Sequence, residues 1–303
     1  MLGPISTSTH CLKESLLRYI ALAIVVTALG ISVPAHAQQP GPIAAVGDEN
    51  KENAESFFPL WKSLLKDGKF LPPYGINLVF FDLNGLWDVK NFSASVNDNE
   101  LASVSGKAEV HPFTYGGRAD VWVFPFLNVF ATVGGLNLKV QVTGLDLPLG
   151  ISGDRPPEVI RGDVHFDLDF TGYYGGGGLV LMYAWRSYFA SADYSTVWTH
   201  LESSTSGVTG NELRTDTASF RVGYNAGAVQ PYIGARWVKK IDHFEGTVST
   251  SGGLPLTFAV DLQAPAWNYQ VGIHSIIARR YELVVEAGFG DRTHGLVNLG
   301  YRF

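Results

Sequence analysis

Asp163, His165, Asp167 and Asp169 place three carboxylates and an imidazole at every second position of one segment, alternating with Val164, Phe166, Leu168 and Phe170. In a β-strand that spacing projects all four polar groups from one face. Such a set suits a divalent cation, or favours cations inside a pore. The plainer alternative is ion pairing with bases on neighbouring strands, and Lys139 lies at matching height on the preceding run. Smaller polar sets occur at His200-Leu-Glu202-Ser203, Asp242-His243 and Asp291-Arg-Thr-His294. A hydrolase needs a nucleophile, a base and an orienting acid within reach of one another. None of the three fragments has a recognised hydrolase spacing, so no catalytic residue, resident metal or cofactor is expected. Gly175–Gly178 is followed by neither a Lys-Ser/Thr pair nor a helix. It reads as a bend, a bulge or the close approach of an internal side chain, and not as a phosphate cradle.

The elements that position these groups are strands. In the last run Val297, Leu299, Tyr301 and Phe303 alternate with His294, Asn298 and Arg302. In the run before it Tyr281, Leu283, Val285, Ala287 and Phe289 oppose Glu282 and Glu286. Period-two alternation of this kind marks a sheet with one apolar and one polar face. About ten such runs follow Tyr74, with connections alternating between short (125–127, 183–186, 225–229, 279–280) and long (84–114, 143–161, 201–212, 248–264). If two weaker runs within 87–110 also cross, the number is twelve. Tyr and Trp gather near the ends of the apolar faces, as membrane-interface girdles do. The fold expected is all-β: a single antiparallel transmembrane β-barrel of about ten strands (alternatively twelve), lipid outside and polar groups inside. The polar faces then send Arg118, Asp120, Lys139, Asp163, His165, Asp167, Asp169, Asp193, Arg221, Arg236, Lys240, Asp242, Glu282, Glu286 and Arg302 into the lumen. Near-balance of the two signs in a narrow barrel favours a paired interior, because a desolvated, unpaired charge costs several kcal/mol.

The composition agrees: 13% aromatic, 34 glycines and only 17% charged residues. Beyond the N-terminus no stretch approaches the roughly 20 apolar residues of a membrane-spanning helix. Residues 1–37 read as a signal peptide, with Lys13 and Arg18 before the apolar core Tyr19–Ile31 and a small-x-small site at Ala35-His36-Ala37. Its removal takes away Cys11, the one cysteine, which excludes disulfide and thiol chemistry from the remainder. The net charge is −6, which argues against nucleic acid as a partner. Residues 38–73 read as a periplasmic linker and a short amphipathic helix over Ser56–Lys66, with Phe57, Leu60, Trp61, Leu64 and Leu65 on one side. Residues 74–303 form the barrel. Two long connections carry unexpectedly apolar sequence: Leu145, Leu147 and Leu149 in one, Leu254, Leu256 and Phe258 in the other. Contiguous exposed apolar surface tends to mark a binding site. The alternative is that these segments extend neighbouring strands and pack on each other.

From Tyr74 to Phe303 the chain resembles bacterial outer-membrane β-barrel proteins, with both termini in the periplasm. The terminal Leu299-Gly-Tyr-Arg-Phe303, with Tyr301 and Phe303 as its aromatic positions, looks like that family's C-terminal signature. The resemblance implies recognition by the barrel-insertion machinery. More narrowly, Ala119–Val129, Trp267–Gly272 and Glu286–Thr293 are similar to a group of such barrels ending in GFGDRT…LGYRF, a likeness that brings no substrate with it. Lipid and lipopolysaccharide are the surroundings so implied, and Lys239 could meet a lipopolysaccharide phosphate. Two functional classes stand in front: a narrow channel or binding barrel for a small or apolar solute, and a structural or adhesin-like surface barrel with a filled lumen. An outer-membrane hydrolase is the third and least supported.

Overall fold

The computed structural model describes residues 57–60, 71–96, 99–148, 161–203, 208–210, 213–249 and 255–303. Its strands, in chain order, are β1 (Tyr74–Val96), β2 (Asn99–Phe124), β3 (Leu127–Pro148), β4 (Arg161–Trp185), β5 (Tyr188–Ser203), β6 (Val208–Gly210), β7 (Leu213–Tyr224), β8 (Val229–Lys239), β9 (Ile241–Ser249), β10 (Pro255–Gln263), β11 (Trp267–Ile277), β12 (Tyr281–Gly290) and β13 (Arg292–Arg302). Ten of these, in the order β1-β2-β3-β4-β5-β7-β8-β11-β12-β13, form an antiparallel ring, and β13 pairs with β1 to close it. The closing register runs from Gly75↔Arg302 to Gly85↔Arg292. Beyond it Tyr74 and Phe303 exchange backbone hydrogen bonds of 3.3 and 3.0 Å. A closed ring leaves no unpaired edge, which hydrocarbon requires. The weak runs within 87–110 add no further crossing; they are the far halves of β1 and β2, paired with each other.

The ring strands β8, β11, β12 and β13 have 10 or 11 residues, the length that crosses a bilayer when tilted. Their outward positions are apolar and exposed: Ile273, Phe289, Leu299 and Phe303, continued around the ring by Leu78, Val133, Leu181 and Phe220. An apolar girdle of that extent is foreign to a water-facing surface and is the lipid face of a transmembrane barrel. Phe80 lies at mid-height on this face of β1. Phe80→Arg is expected to destabilise the folded barrel by about 2–4 kcal/mol, the midplane penalty for arginine. Urea unfolding in liposomes measures it, and a change below about 1 kcal/mol would deny that this face meets lipid.

Four strands are far longer than a crossing: β1 has 23 residues, β2 26, β3 22 and β4 25. They rise beyond the ring at the end away from the short turns. There β1 exchanges one partner for another: past Gly85 it leaves β13, and from Asp88↔Gln263 onward it pairs with β10. The hairpin β9–β10 lies between β8 and β11 in sequence, and β6 edges onto β9. Above the membrane ring the sheet therefore continues as β6-β9-β10-β1-β2-β3-β4.

In this upper storey β3 and β4 keep the same in/out parity while the media exchange places; on β1 a register shift between Val89 and Phe92 moves the buried face by one residue. On β3, Val133 faces lipid, and Asn137 and Lys139, two and three repeats on, face outward into water; Leu136, Leu138 and Val140 point in and are buried. On β4, Leu181 and Tyr183 are outward at membrane level, and Asp167 and Asp169 are outward above it, with Leu168 and Phe170 inside. The expectation that Lys139, Asp167 and Asp169 face the lumen is therefore overturned. Once a strand leaves the bilayer, its outer face must be polar and its inner face can be dry. The side chains of Asp163 and His165 lie outside the described residues, as do those of Leu145, Leu147, Leu149, Leu254 and Leu256.

Two further expectations change. The run 230–247 breaks at Lys240, where β8 ends and β9 turns away to pair with β10. Residues 143–148 and 255–262 belong to β3 and β10, and Phe258 is a buried core side chain, not an exposed loop residue. The helix expected over 56–66 falls largely outside the described residues; of its length, only 57–60 are described, and Leu60 N donates to Val123 O (2.7 Å) at the short-turn end.

Candidate functional site

Glu286 on β12 stands at the centre of the lumen's upper polar layer, with its side chain only 1% exposed. Oε1 accepts from Arg236 Nη2 (2.7 Å) and His294 Nε2 (3.1 Å); Oε2 accepts from Tyr232 Oη (2.9 Å) and Arg221 Nε (3.2 Å). Strand pairing explains the convergence. β7 pairs with β8, β8 and β12 flank β11, and β13 is the other neighbour of β12, so inward residues of five adjacent strands meet at one height. Asn268 Nδ2 lies 2.9 Å from His294 Nδ1. An amide donor there leaves the ring proton on Nε2, aimed at Glu286. Arg221 also pairs with Asp193 on β5, which accepts the Ser219 hydroxyl as well. Gln270 satisfies both its neighbours when its amide nitrogen faces Glu286 (3.1 Å) and its oxygen faces Arg221 Nε (3.0 Å).

The lower layer has two acidic centres. Asp120 accepts from Asn77 (2.9 Å), Asn128 (2.6 Å) and Arg302 Nη2 (3.0 Å). Glu282 accepts from Arg302 Nε (3.0 Å) and lies 3.1 Å from His274 Nε2. Arg118 is treated differently. Its Nη2 donates to the Asn128 amide oxygen (3.2 Å) and its guanidinium stacks on Phe130 (3.9 Å), with no ion-paired carboxylate among the described residues. Buried ions held this way stabilise little relative to apolar packing, but removing one partner is severe because the other charge stays buried.

Between these layers and the opposite wall is a cavity of about 390 Å³. Its lining is mixed: Arg118, Arg221, Arg236, Glu282 and Arg302 bring charge, while Phe130, Val180, Met182, Phe189 and Val197 of β3, β4 and β5 form an apolar patch beside Ser191, Asp193 and Ser195 of β5. Leu71 and Trp122, both buried, lie at its short-turn end. Above it the upper storey is filled. Trp87, Leu138, Val140, Phe170, Leu201, Phe244, Phe258 and Leu262 form one apolar cluster inside the sheet. Phe170 of β4 meets Phe244 of β9 with ring centroids 5.0 Å apart, so the packing spans the mouth from wall to wall. Tyr174 seats this core on the ring. A Cβ at Gly116 would lie 2.3 Å from the Val133 carbonyl oxygen and 2.5 Å from the Tyr174 hydroxyl, and one at Gly134 2.2 Å from the Tyr115 carbonyl oxygen and 2.6 Å from Tyr174 Cζ. That is the close approach of backbone and of an internal side chain, and it explains glycine at both positions.

Of the residues expected in the lumen, the structure brings together Arg118, Asp120, Asp193, Arg221, Arg236, Glu282, Glu286 and Arg302. Lys139, Asp167 and Asp169 are outside this set. Lys139 and Asp169 face each other in the β3–β4 register, on the outer surface. Among the described residues no cluster of His, Cys, Asp and Glu suits a metal. His294 is a lumen residue rather than a rim residue, and His243 pairs with Asp261 (2.7 Å) on the β9–β10 hairpin. Tyr301 and Phe303 lie at the ring's short-turn end, Phe303 exposed and stacked on Tyr74 (5.9 Å). Sequence reasoning missed the apolar cap. Its signal was strand length: runs twice as long as a bilayer crossing pass through two media, and each half has to be assigned separately.

Neither a protein-family model nor a curated protein matches this sequence. Solved structures that it resembles include the outer-membrane protein OprG from Pseudomonas aeruginosa (11% identity, TM-score 0.45, covering 77% of this chain and 98% of that one). The transport unit of the autotransporter AIDA-I from Escherichia coli matches at 13% identity and TM-score 0.39, covering 80% of this chain and 95% of the other. The Ralstonia pickettii toluene transporter TbuX matches at 10% identity and TM-score 0.34, covering 77% and 90%. The barrel assignment rests on this chain's own strand pairing, and no role is carried over from these three.

Proposed function

We propose that this chain is an outer-membrane β-barrel, with both termini in the periplasm, whose lumen is closed to hydrated ions and takes a small, largely apolar solute. The apolar girdle supports the membrane setting, and short turns at one end with long strands at the other support the orientation. One observation carries the solute class: the apolar core from Trp87 to Phe258 stands over a chamber in which Phe130, Val180, Met182, Phe189 and Val197 form an apolar patch. Hydrated ions gain nothing from either surface, whereas apolar surface is favourable for a solute that leaves water. Lys239, exposed at the upper rim opposite Asp216, is the residue proposed to meet a lipopolysaccharide phosphate. Phe303 and Tyr301 are proposed as the signal for the barrel-insertion machinery.

In planar bilayers the expected result is little or no ionic conductance, and large, steady ion-selective steps would overturn this reading. The ion-paired network favours the second reading, a structural or surface-interaction barrel with a filled interior. Calorimetric titration of the reconstituted barrel with 1-hexanol separates the two. Saturable binding supports a solute barrel, and absence of binding supports the structural one.

A further inference from the structure

We infer that the lumen chamber is a binding site for a small monocarboxylate with an apolar body, its carboxylate held between Arg118 and Arg302. The inference rests on the solute-barrel reading and narrows it. Among the described residues the lumen carboxylates are already committed: Glu286 to Arg221 and Arg236, Asp193 to Arg221, Asp120 and Glu282 to Arg302. Of the arginines lining the chamber, Arg118 is the one outside these pairs. It rests on an amide oxygen and an aromatic face, and its buried Nε has no acceptor among the described residues. Arg302 is 4% exposed, and its Nη1 likewise has no acceptor. Both side chains line the chamber, as does Asn298, whose amide can present its nitrogen to the same ligand.

Two guanidinium groups with unused donors are suited to a carboxylate, since charge-assisted hydrogen bonds are about twice as strong as neutral ones. Phe130, Val180, Met182 and Phe189 form an apolar patch that suits a short alkyl or aryl body, and the Asp193 carboxylate beside it disfavours a second anionic group. A volume of about 390 Å³ lies within the roughly 300–1,000 Å³ of small-molecule pockets. Nearby Asp193 and Glu282 are ion-paired rather than bare, to arginines they share with Glu286 and Asp120, and Arg118 brings the further positive charge that the ligand meets.

The test is isothermal titration calorimetry of the full barrel in lipid nanodiscs, with sodium hexanoate and 1-hexanol as probes. Hexanoate is expected to bind more tightly than hexanol. Arg118→Gln is expected to weaken hexanoate roughly tenfold or more, the worth of hydrogen bonds to a charged group, and to leave hexanol unchanged. Met182→Trp, which fills the chamber without touching the ion pairs, is expected to abolish binding of both. Folding of each variant is read from the mobility difference between heated and unheated samples. Equal affinities for the two probes, or hexanoate binding indifferent to Arg118→Gln, would overturn the carboxylate site and leave the apolar-solute reading standing. Retention of hexanoate by folded Met182→Trp would place the site elsewhere and overturn the inference. If the native barrel binds neither probe, both readings fall together.

Discussion

Glu286→Ala is expected to remove about 3–5 kcal/mol from the stability of the barrel, the penalty for leaving buried charges without their partner. The carboxylate is the meeting point of Arg221, Arg236, Tyr232 and His294, and its loss leaves Arg236 without a carboxylate and Arg221 with Asp193 alone. Asp193 still neutralises Arg221, so Arg236 bears most of the penalty. Glu286→Gln retains acceptor capacity at one oxygen and should fall between wild type and alanine. The informative control is the combined replacement of Glu286 and Arg236 by leucine. If the desolvation argument holds, that pair costs much less than Glu286→Ala alone, because no orphaned charge remains. Urea titration of the liposome-inserted barrel, followed by tryptophan fluorescence, measures all four proteins. A loss below about 1 kcal/mol for Glu286→Ala would show that the lumen is wet enough to screen its charges.

Phe170→Ala is expected to destabilise the upper storey by about 3–5 kcal/mol while leaving the membrane ring intact. Phe170 is 1% exposed and its ring meets Phe244, also 1% exposed, across the mouth. Truncation leaves a void between β4 and β9 that long, ring-anchored strands cannot collapse to fill. The effect should be local because the β9–β10 hairpin takes its strand pairing from β1 and β6 and not from the ring strands β11–β13. Limited proteolysis should therefore cut Phe170→Ala within 241–263 under conditions where the native protein resists, with the ring still shifting its gel mobility on heating. Phe244→Ala should behave alike. The double variant should lose less than the sum of the singles by about 0.5–1.5 kcal/mol, the coupling of one aromatic pair. Global unfolding of Phe170→Ala together with the ring would contradict two separable storeys.

The membrane-level faces were legible in the sequence because lipid enforces a strict choice. Ile273, Leu299 and Phe303 had to be outside, and Glu286, Asn298 and Arg302 had to be inside, whatever their partners. The upper storey was not legible by the same logic. Alternation shows that Asp167 and Asp169 oppose Leu168 and Phe170, but it is symmetric about the sheet and does not say which side is water. Only the medium breaks that symmetry, and the medium changes somewhere near Leu136 and Tyr174 without a shift of parity. The β9–β10 hairpin was hidden for another reason. Its partner is β1, more than 160 residues distant, and its glycines and prolines read locally as loop. The donor counts at Glu286 were equally out of reach, since they depend on five strands arriving at one height.

β1 acquires its last two partners late. β10 and β13 are synthesised long after it, and the hydrogen bond from Thr293 to Asn84 spans 209 residues. Until the final strand arrives, the opening strand offers a row of unsatisfied amides and carbonyls to any passing chain. Ring closure and docking of the cap thus fall at the end of biogenesis, on opposite halves of one strand. No capped interior exists before the molecule is whole.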